Sequence, residues 1–347
     1  MRNTRFTTGI QRVITETHRG LVKSLDPATE SLHGFSSVDL PGENYLESPY
    51  LATDPVLSKP LVAIADLDIA LLLDLNLALS FRDLLLLKKQ KSLSVVSVIH
   101  DITPILNPEW LAGEPALVKK YFRDYLQKTI ALSDHIILCS NKVKQDIQNL
   151  GWKIDKPVHV FQLGATRVLE NSRERVDDIP TVIYVSTIEP RKGHLDLLEA
   201  FEILRKQGME IRLEIVGRPG WKFHGIVERI TSNPDYGTYL LWHSNMSDEG
   251  VAELYNRASL SVIPSYDEGF GLGIEEALAR QVVVLARKIP VFLERPNPNI
   301  FYFDSSAQDL ADAIQSTIGK EWIPLKENSI RTMGDFAEDI HGLLTSI

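Results

Sequence analysis

Apolar positions along this chain fall into two alternating rhythms. Leu93 to Ile99 is a short β-branched run. Pro115 to Leu132 is a longer segment with helical spacing, Asp134 to Ser140 a strand, Lys142 to Leu150 a helix and Val158 to Leu163 another strand. The rhythm resumes with strands at Thr181–Thr187, Ile211–Gly217, Tyr239–His243, Ala258–Pro264 and Val282–Ala286. Helical segments separate them, among them His194–Gln207, whose Leu195, Leu198, Phe201 and Leu204 share one predicted face. Ser247-Asp248-Glu249 caps a helix that runs to Ala258, and helices follow at Ile274–Arg280 and Ala307–Ile318. Short apolar strands alternating with amphipathic helices predict parallel, doubly wound sheets. From Thr166 to Pro180 the pattern stops. That segment is charged and poor in apolar residues, as an interdomain linker is.

Ahead of Leu93 the pattern is weaker. Ile10, Val13, Ile14 and Leu21 give a first helix, residues 26–60 are rich in Pro, Ser, Gly and Glu, and Leu61–Leu73 reads as strand segments. Leu77 to Lys91 reads as a helix ending in Lys88, Lys89 and Lys91, where cations suit the helix dipole. The chain closes on a helix within Lys326–Ile347. The expected α/β organisation is a domain over residues 1–168, a second over 169–325, and a terminal helix over 326–347.

Composition narrows the partners. With 347 residues, 44% hydrophobic and 24% charged, the chain has the makeup of a two-domain globular protein. Its net charge of −9 argues against nucleic acid, which selects a basic face. The charge is uneven: 16 basic against 17 acidic residues in 1–150, and 21 against 29 in 151–347. The first half could therefore approach an anionic surface that would repel the second. Cys139 is the only cysteine, which excludes an intrachain disulfide, and its apolar setting reads as packing rather than nucleophilic chemistry. Met1–Gly20 has no apolar signal core, and the apolar run Ile69–Phe81 is too short to span a bilayer. These features predict a cytoplasmic protein, with peripheral contact at the inner face of a membrane left open.

The chemistry concentrates at Pro264–Leu278, where a strand, a turn with Gly269, Gly271 and Gly273, and a helix follow one another. Glycines let the backbone approach a ligand, and free N–H groups at a helix start suit a diphosphate. Glu268 and Glu276 flank the turn with seven residues between them, offering acceptors for sugar and ribose hydroxyls. Two further segments end strands. His100-Asp101-Ile102-Thr103-Pro104 follows the run at Leu93–Ile99, and Glu189-Pro190-Arg191-Lys192-Gly193 follows Thr181–Thr187. The ends of parallel strands are where α/β sheets bind ligands. Two cations at the start of a helix are unfavourable alone, which points to an anionic partner. Asp66-Leu67-Asp68 has metal-binding spacing but lacks a third ligand, and is set aside.

The stretch PSYDEGFGLGIEEAL, with EPRKG, HDITP and Thr8-Gly9-Ile10-Gln11-Arg12-Val13, resembles the retaining glycosyltransferases of family 4 over nearly the whole chain. That resemblance implies the GT-B fold: two Rossmann-like parallel-sheet domains facing a cleft. It implies sugar transfer from a nucleotide sugar to a hydroxyl of a lipid-linked glycan, with no metal or cofactor. Arg191, Lys192 and the N–H groups at Phe270, Gly271 and Leu272 would hold the diphosphate, Glu276 the ribose and Glu268 the transferred sugar. His100 would orient that sugar, and Gly9 would reach the donor from the first domain. No nucleophile stands out, so front-face substitution is the mechanism implied. The sequence departs from the family in several places. No apolar strand precedes Gly9, which leaves the first strand unaccounted for. Gln281 and Val283 stand where a Gly-x-Pro is usual, and Gly273 replaces a common proline, relieving the turn. A non-catalytic paralogue that binds nucleotide or a partner enzyme, and a nucleotide-sugar epimerase, are the alternative readings.

Overall fold

A computed structural model describes residues 9–24, 69–73, 85, 88, 89, 93–166, 179–326 and 329–347. Two parallel sheets organise them. The first contains β1 (Ile69–Leu72), β2 (Ser94–Ile99), β3 (His135–Leu138) and β4 (Val158–Val160), paired in that order. The second contains β5 (Thr181–Val185), β6 (Arg212–Val216), β7 (Leu240–His243), β8 (Leu260–Ile263), β9 (Val284–Arg287) and β10 (Ile300–Phe303), in the spatial order β10-β9-β8-β5-β6-β7. The helices are α1 (Gly9–Ser24), α2 (Thr103–Leu106), α3 (Pro115–Leu132), α4 (Asn141–Asn149), α5 (His194–Lys206), α6 (His224–Thr231), α7 (Asp248–Arg257), α8 (Leu272–Leu278), α9 (Pro290–Leu293), α10 (Ala307–Thr317) and α11 (Met333–Leu344). No strand precedes α1 among the described residues. Residues 1–8, the Asp66/Asp68 pair and most of Leu77–Lys91 lie outside them.

The six-stranded order decides where a ligand can bind. The chain runs outward from β5 to β7, then crosses back to lay β8 on the other side of β5, with Val182 opposite Leu260. This reversal of strand order between β5 and β8 is the switch point at which doubly wound sheets place their ligand crevice. Both strands are apolar and buried on both faces, as a helix-covered parallel sheet requires.

Local signals set the helix ends. Ser140 caps α4 by accepting from the Val143 N–H at 3.2 Å, and Ser247 caps α7 by accepting from Gly250. Reciprocal Ser306/Asp309 and Thr332/Asp335 capping boxes open α10 and α11. One expected face is corrected. α5 buries Leu197, Leu198, Phe201 and Leu204, whereas Leu195 is 50% exposed. The buried stripe is centred on Leu197 and Phe201, and a 3.6-residue period turns Leu195 away from it.

The last helix belongs to the first sheet's core. Met333, Phe336, Ala337 and Ile340 are buried in one cluster with Val13 and Leu21 of α1. At Gly20 a Cβ would overlap that of Ala337, so the two helices meet at a residue with no side chain. The entry to α11 is pinned by backbone bonds, Ala165 N–H to Arg331 O and Met333 N–H to Ala165 O, each 2.9 Å.

Helix α8 ends in a left-handed residue that is not glycine. Gln281 has φ 55°, its N–H donates to Leu278 O at 2.9 Å, and Val282 N–H donates to Ala277 O at 3.0 Å. This is a Schellman stop with glutamine in the position that favours glycine. Replacing Gln281 with Gly should therefore stabilise the fold by about 0.5–1 kcal/mol. Thermal unfolding of Gln281→Gly checks this, and an unchanged or lowered midpoint would contradict it.

Candidate active site

The crevice between β5 and β8 gathers charge. Arg191 and Lys192 stand on the 3-10 turn Pro190–Lys192 after β5, and Glu268 stands on the loop after β8. Lys192 Nζ meets Glu268 Oε1 at 2.5 Å, and Arg191 Nη1 meets Glu268 Oε2 at 3.1 Å. Arg191 Nε also pairs with Glu189 at 2.6 Å, and the Ser265 hydroxyl donates to Glu268 at 2.9 Å. Burial alone would raise the Glu268 pKa, but Lys192 and Arg191 override it and hold the carboxyl down at about 2. Burial likewise opposes the Arg191 charge, and Glu268 and Glu189 more than restore it, so its pKa is raised. The anionic partner expected for the two cations is thus already present, in part, as the protein's own carboxylates.

Close backbone approach holds this cluster together. Gly193 has φ 70°, and a Cβ there would overlap the Pro264 carbonyl, so the two crevice loops touch through glycine. Tyr184, buried on β5, donates its hydroxyl to Lys192 O at 2.8 Å, and Tyr266 N–H donates to Arg191 O at 2.8 Å. Gly271, φ 97°, ends the loop, and α8 begins at Leu272, two residues before the expected start. Its first-turn N–H groups therefore open onto the loop that carries Glu268. Gly273, expected to relieve the turn, does not: it is an ordinary first-turn residue whose Cβ would meet nothing closer than 3.9 Å. Tight space is at Gly269, where a Cβ would overlap the His100 carbonyl and press on Asp101.

That approach brings the first sheet to the site. His100 directly follows β2 and is 8% exposed. Its Nε2 lies 2.7 Å from Leu73 O and so acts as the donor, while its buried Nδ1 has no partner among the described residues. With Nε2 turned to the Leu73 carbonyl, Nδ1 is the ring nitrogen left for a further hydrogen-bond partner. Cys139 donates its thiol to His100 O at 2.8 Å and Ser140 donates to Gly269 O at 2.6 Å. Burial pushes the Cys139 thiol pKa up, in keeping with a packing role.

The remaining predicted residues divide. Phe270 is buried among the first half's apolar residues, with its carbonyl accepting from Arg295 at 2.7 Å. Glu276 lies on the second turn of α8 and is 8% exposed. Gly9 opens α1, whose extensive packing is against α11.

Several contributors were not visible in the sequence. Asp267 takes a hydrogen bond from Thr103 at 2.9 Å and an ion pair from Lys142. Burial would lower the Lys142 pKa, but Asp267 and Asp146 raise it. Glu294, from the second half, accepts from Asn141 and Lys142 N–H groups at the start of α4, at 2.9 and 2.5 Å. These pairs lie 125 to 164 residues apart, and no local pattern marks them. Glu189 was the exception, since it stands inside the EPRKG turn.

Comparison with known proteins bears on the family and the fold. The family described as glycosyl transferases group 1 matches residues 167–332. Serotype-specific mannosyltransferase WbdA of Escherichia coli is 34% identical over 253 residues, covering 67% of this chain and 30% of the relative. O-antigen chain mannosyltransferase B of the same organism is 32% identical, covering 56% of this chain and 53% of its own length. The chain therefore spans less than a third of the first relative and about half of the second. Among solved structures, Anabaena HepE in complex with UDP and glucose superposes with a TM-score of 0.63 at 18% identity, covering 81% of this chain and 78% of that one. Sucrose-phosphate synthase of Thermosynechococcus elongatus gives 0.59 at 21% identity, covering 80% and 69%. At these identities the structural likeness speaks for the fold.

The Glu268 cluster sets a pH dependence. Its pKa is depressed on folding, so its contribution is complete above the unfolded value, near 4.5, and is lost as pH falls toward about 2. A contribution on the order of 3 kcal/mol at neutral pH follows from that shift. The gap in unfolding free energy between the protein and Glu268→Gln should stay constant from pH 7 to about 5 and narrow below pH 4.5. Denaturant titrations across that range test it, and a gap independent of pH would overturn the assignment.

Proposed function

We propose that this chain, which matches the glycosyl transferases group 1 family over residues 167–332 and has the GT-B fold, transfers a sugar from a nucleotide sugar to a hydroxyl of a glycan in polysaccharide biosynthesis. The observation that carries the reading is the cluster of Arg191, Lys192 and Glu268 at the switch-point crevice, beside the start of α8 and the His100 Nδ1, which has no partner among the described residues. The first relatives named above are mannosyltransferases, so mannose is the first donor sugar to test.

In this reading the leaving diphosphate binds the N–H groups at Phe270–Leu272 together with Arg191 and Lys192. Preorganised donors of this kind stabilise charge that develops in the transition state. Metal-independent transfer is expected because those cations stand where the charge forms. Glu268 holds the pair apart from solvent in the resting site and accepts from the hydroxyls of the transferred sugar. Glu276 accepts from the ribose, and His100 Nδ1 accepts from a sugar hydroxyl and fixes the ring. Transfer proceeds with retention by substitution on one face. The acceptor is lipid-linked and the enzyme works at the inner membrane face, a reading supported by the near-neutral first half of the sequence. No described helix is long and apolar enough to cross a membrane. The non-catalytic alternative rested partly on Gln281, yet that residue keeps the left-handed turn a glycine would make.

The test is release of nucleoside diphosphate from GDP-mannose and UDP-glucose in the presence of a lipid-linked glycan, with and without EDTA. Acceptor-dependent release that survives EDTA supports the reading, and loss of activity restored by magnesium or manganese defeats its metal-independent form. Three variants separate the roles. Lys192→Ala removes a charge-assisted contact of about 1.5–3 kcal/mol, so the free diphosphate should bind roughly tenfold to a hundredfold more weakly. It should also cost stability, since Lys192 neutralises Glu268. Glu276→Gln should weaken the free diphosphate and the intact donor alike. Glu268→Gln should bind the free diphosphate at least as well as the parent, because a competing carboxylate is gone, while turnover falls. Equal losses for both ligands in both glutamate variants would sink this division of roles.

A further inference from the structure

Two aromatic rings meet at the mouth of the crevice, one from each half of the chain. Trp110 is on the 3-10 turn Pro108–Trp110, on the loop side of β2 that also carries His100. Tyr266 lies two residues before Glu268. The ring centroids are 6.3 Å apart with planes 30° from parallel. Tyr266 is 43% exposed and Trp110 half-buried, so neither is a core residue. The pair is nonetheless rigidly mounted. Arg287, itself buried, lies 4.3 Å over the Tyr266 ring. Its guanidinium is fixed by Pro264 O at 3.0 Å, by Ser305 O at 2.8 Å and by an ion pair with Asp196. Asp196 also accepts the Tyr266 hydroxyl at 2.7 Å, and burial with that bond raises the phenol pKa to about 12. The result is a stack of Arg287, Tyr266 and Trp110 that begins in the second half's interior and ends at the surface of the first.

A neighbouring loop reaches the same rim. Lys222, held in the left-handed region at φ 49°, donates to Glu109 O at 2.5 Å, one residue before Trp110. The loop's Gly220 backbone lies against Thr187 and Glu189, the latter the partner of Arg191, and Trp221 is 41% exposed. Backbone strain at Lys222 is therefore associated with a contact across the cleft rather than with a turn of no consequence.

We propose that Trp110, backed by Tyr266, is the acceptor subsite, on which a terminal pyranose of the incoming glycan stacks. A pyranose face presents C–H bonds of partial positive charge, which the negative face of an indole attracts. The rim lies on the Glu268 side of the turn, and Glu276 is eight residues farther along the chain. A sugar there approaches the transferred residue rather than the nucleotide. The identity of the ligand rests on the transfer reading above, whereas the existence of the subsite does not.

The experiment uses methyl α-D-mannopyranoside, methyl α-D-glucopyranoside and methyl α-L-rhamnopyranoside as probes in saturation-transfer NMR with the full chain. Calorimetric titrations of GDP and UDP run alongside on the same samples. Expected are binding of at least one pyranoside to the parent, affinity about two- to tenfold weaker in Trp110→Ala, and near-parent affinity in Trp110→Phe, with nucleotide binding equal in all three. No pyranoside bound by the parent overturns the proposal. So does equal pyranoside binding in Trp110→Ala, or a parallel loss of sugar and nucleotide in both variants. If GDP and UDP fail to bind the parent while the Trp110 dependence holds, the transfer reading falls and the subsite stands.

Discussion

The missing side chain at Gly269 is the constraint on which the two halves depend. Any Cβ there would enter the His100 carbonyl, so backbone from the second sheet's loop lies directly on the end of β2. Cys139 and Ser140 then donate to backbone oxygens at that contact, and Phe270, the next residue, is buried in the first half's apolar cluster. Glycine loses the most chain entropy on folding, and here that cost is offset by a van der Waals approach that no other residue permits. With the backbones in contact, His100 and Glu268 belong to one crevice although they come from different sheets.

The crevice is charged yet internally compensated. Arg191 and Lys192 are held by Glu268 and Glu189, and Lys142 by Asp267 and Asp146. Charges removed from water need such partners, because breaking one member leaves an uncompensated neighbour. Under the proposed function, a diphosphate entering this site would exchange one set of anions for another rather than meet bare cations. The same neutralisation spans the halves: Thr103 and Lys142 on Asp267, and Glu294 on the start of α4. Glycine contact brings the halves together, and these bonds fix their angle.

How far the site was legible follows from the range of each interaction. The strand–turn–helix at Pro264–Leu278 and the basic turn at Pro190–Lys192 were visible because their residues are adjacent and their spacing is local. The grouping of Lys192 with Glu268 was not, since it joins residues 76 positions apart. Helix α5 was readable as a helix, but which face it buries was misjudged by one residue, Leu195, because the face is chosen by the sheet it packs on. Gly273 looked like the tight point of the turn. Packing of the opposite half gives that role to Gly269, the first of the three turn glycines.

The amino-acid sequence by itself determined the alternation of strand and helix, the cap at Ser247 and the motif residues around the turn. These are properties of periods and near neighbours, encoded within a few residues. Only the tertiary structure decided the reversal of strand order between β5 and β8, the docking of α11 on α1, and the stack of Arg287, Tyr266 and Trp110 across the crevice. Each depends on which surfaces meet once the chain is closed, and that is set by volume and shape summed over many residues rather than by any one stretch.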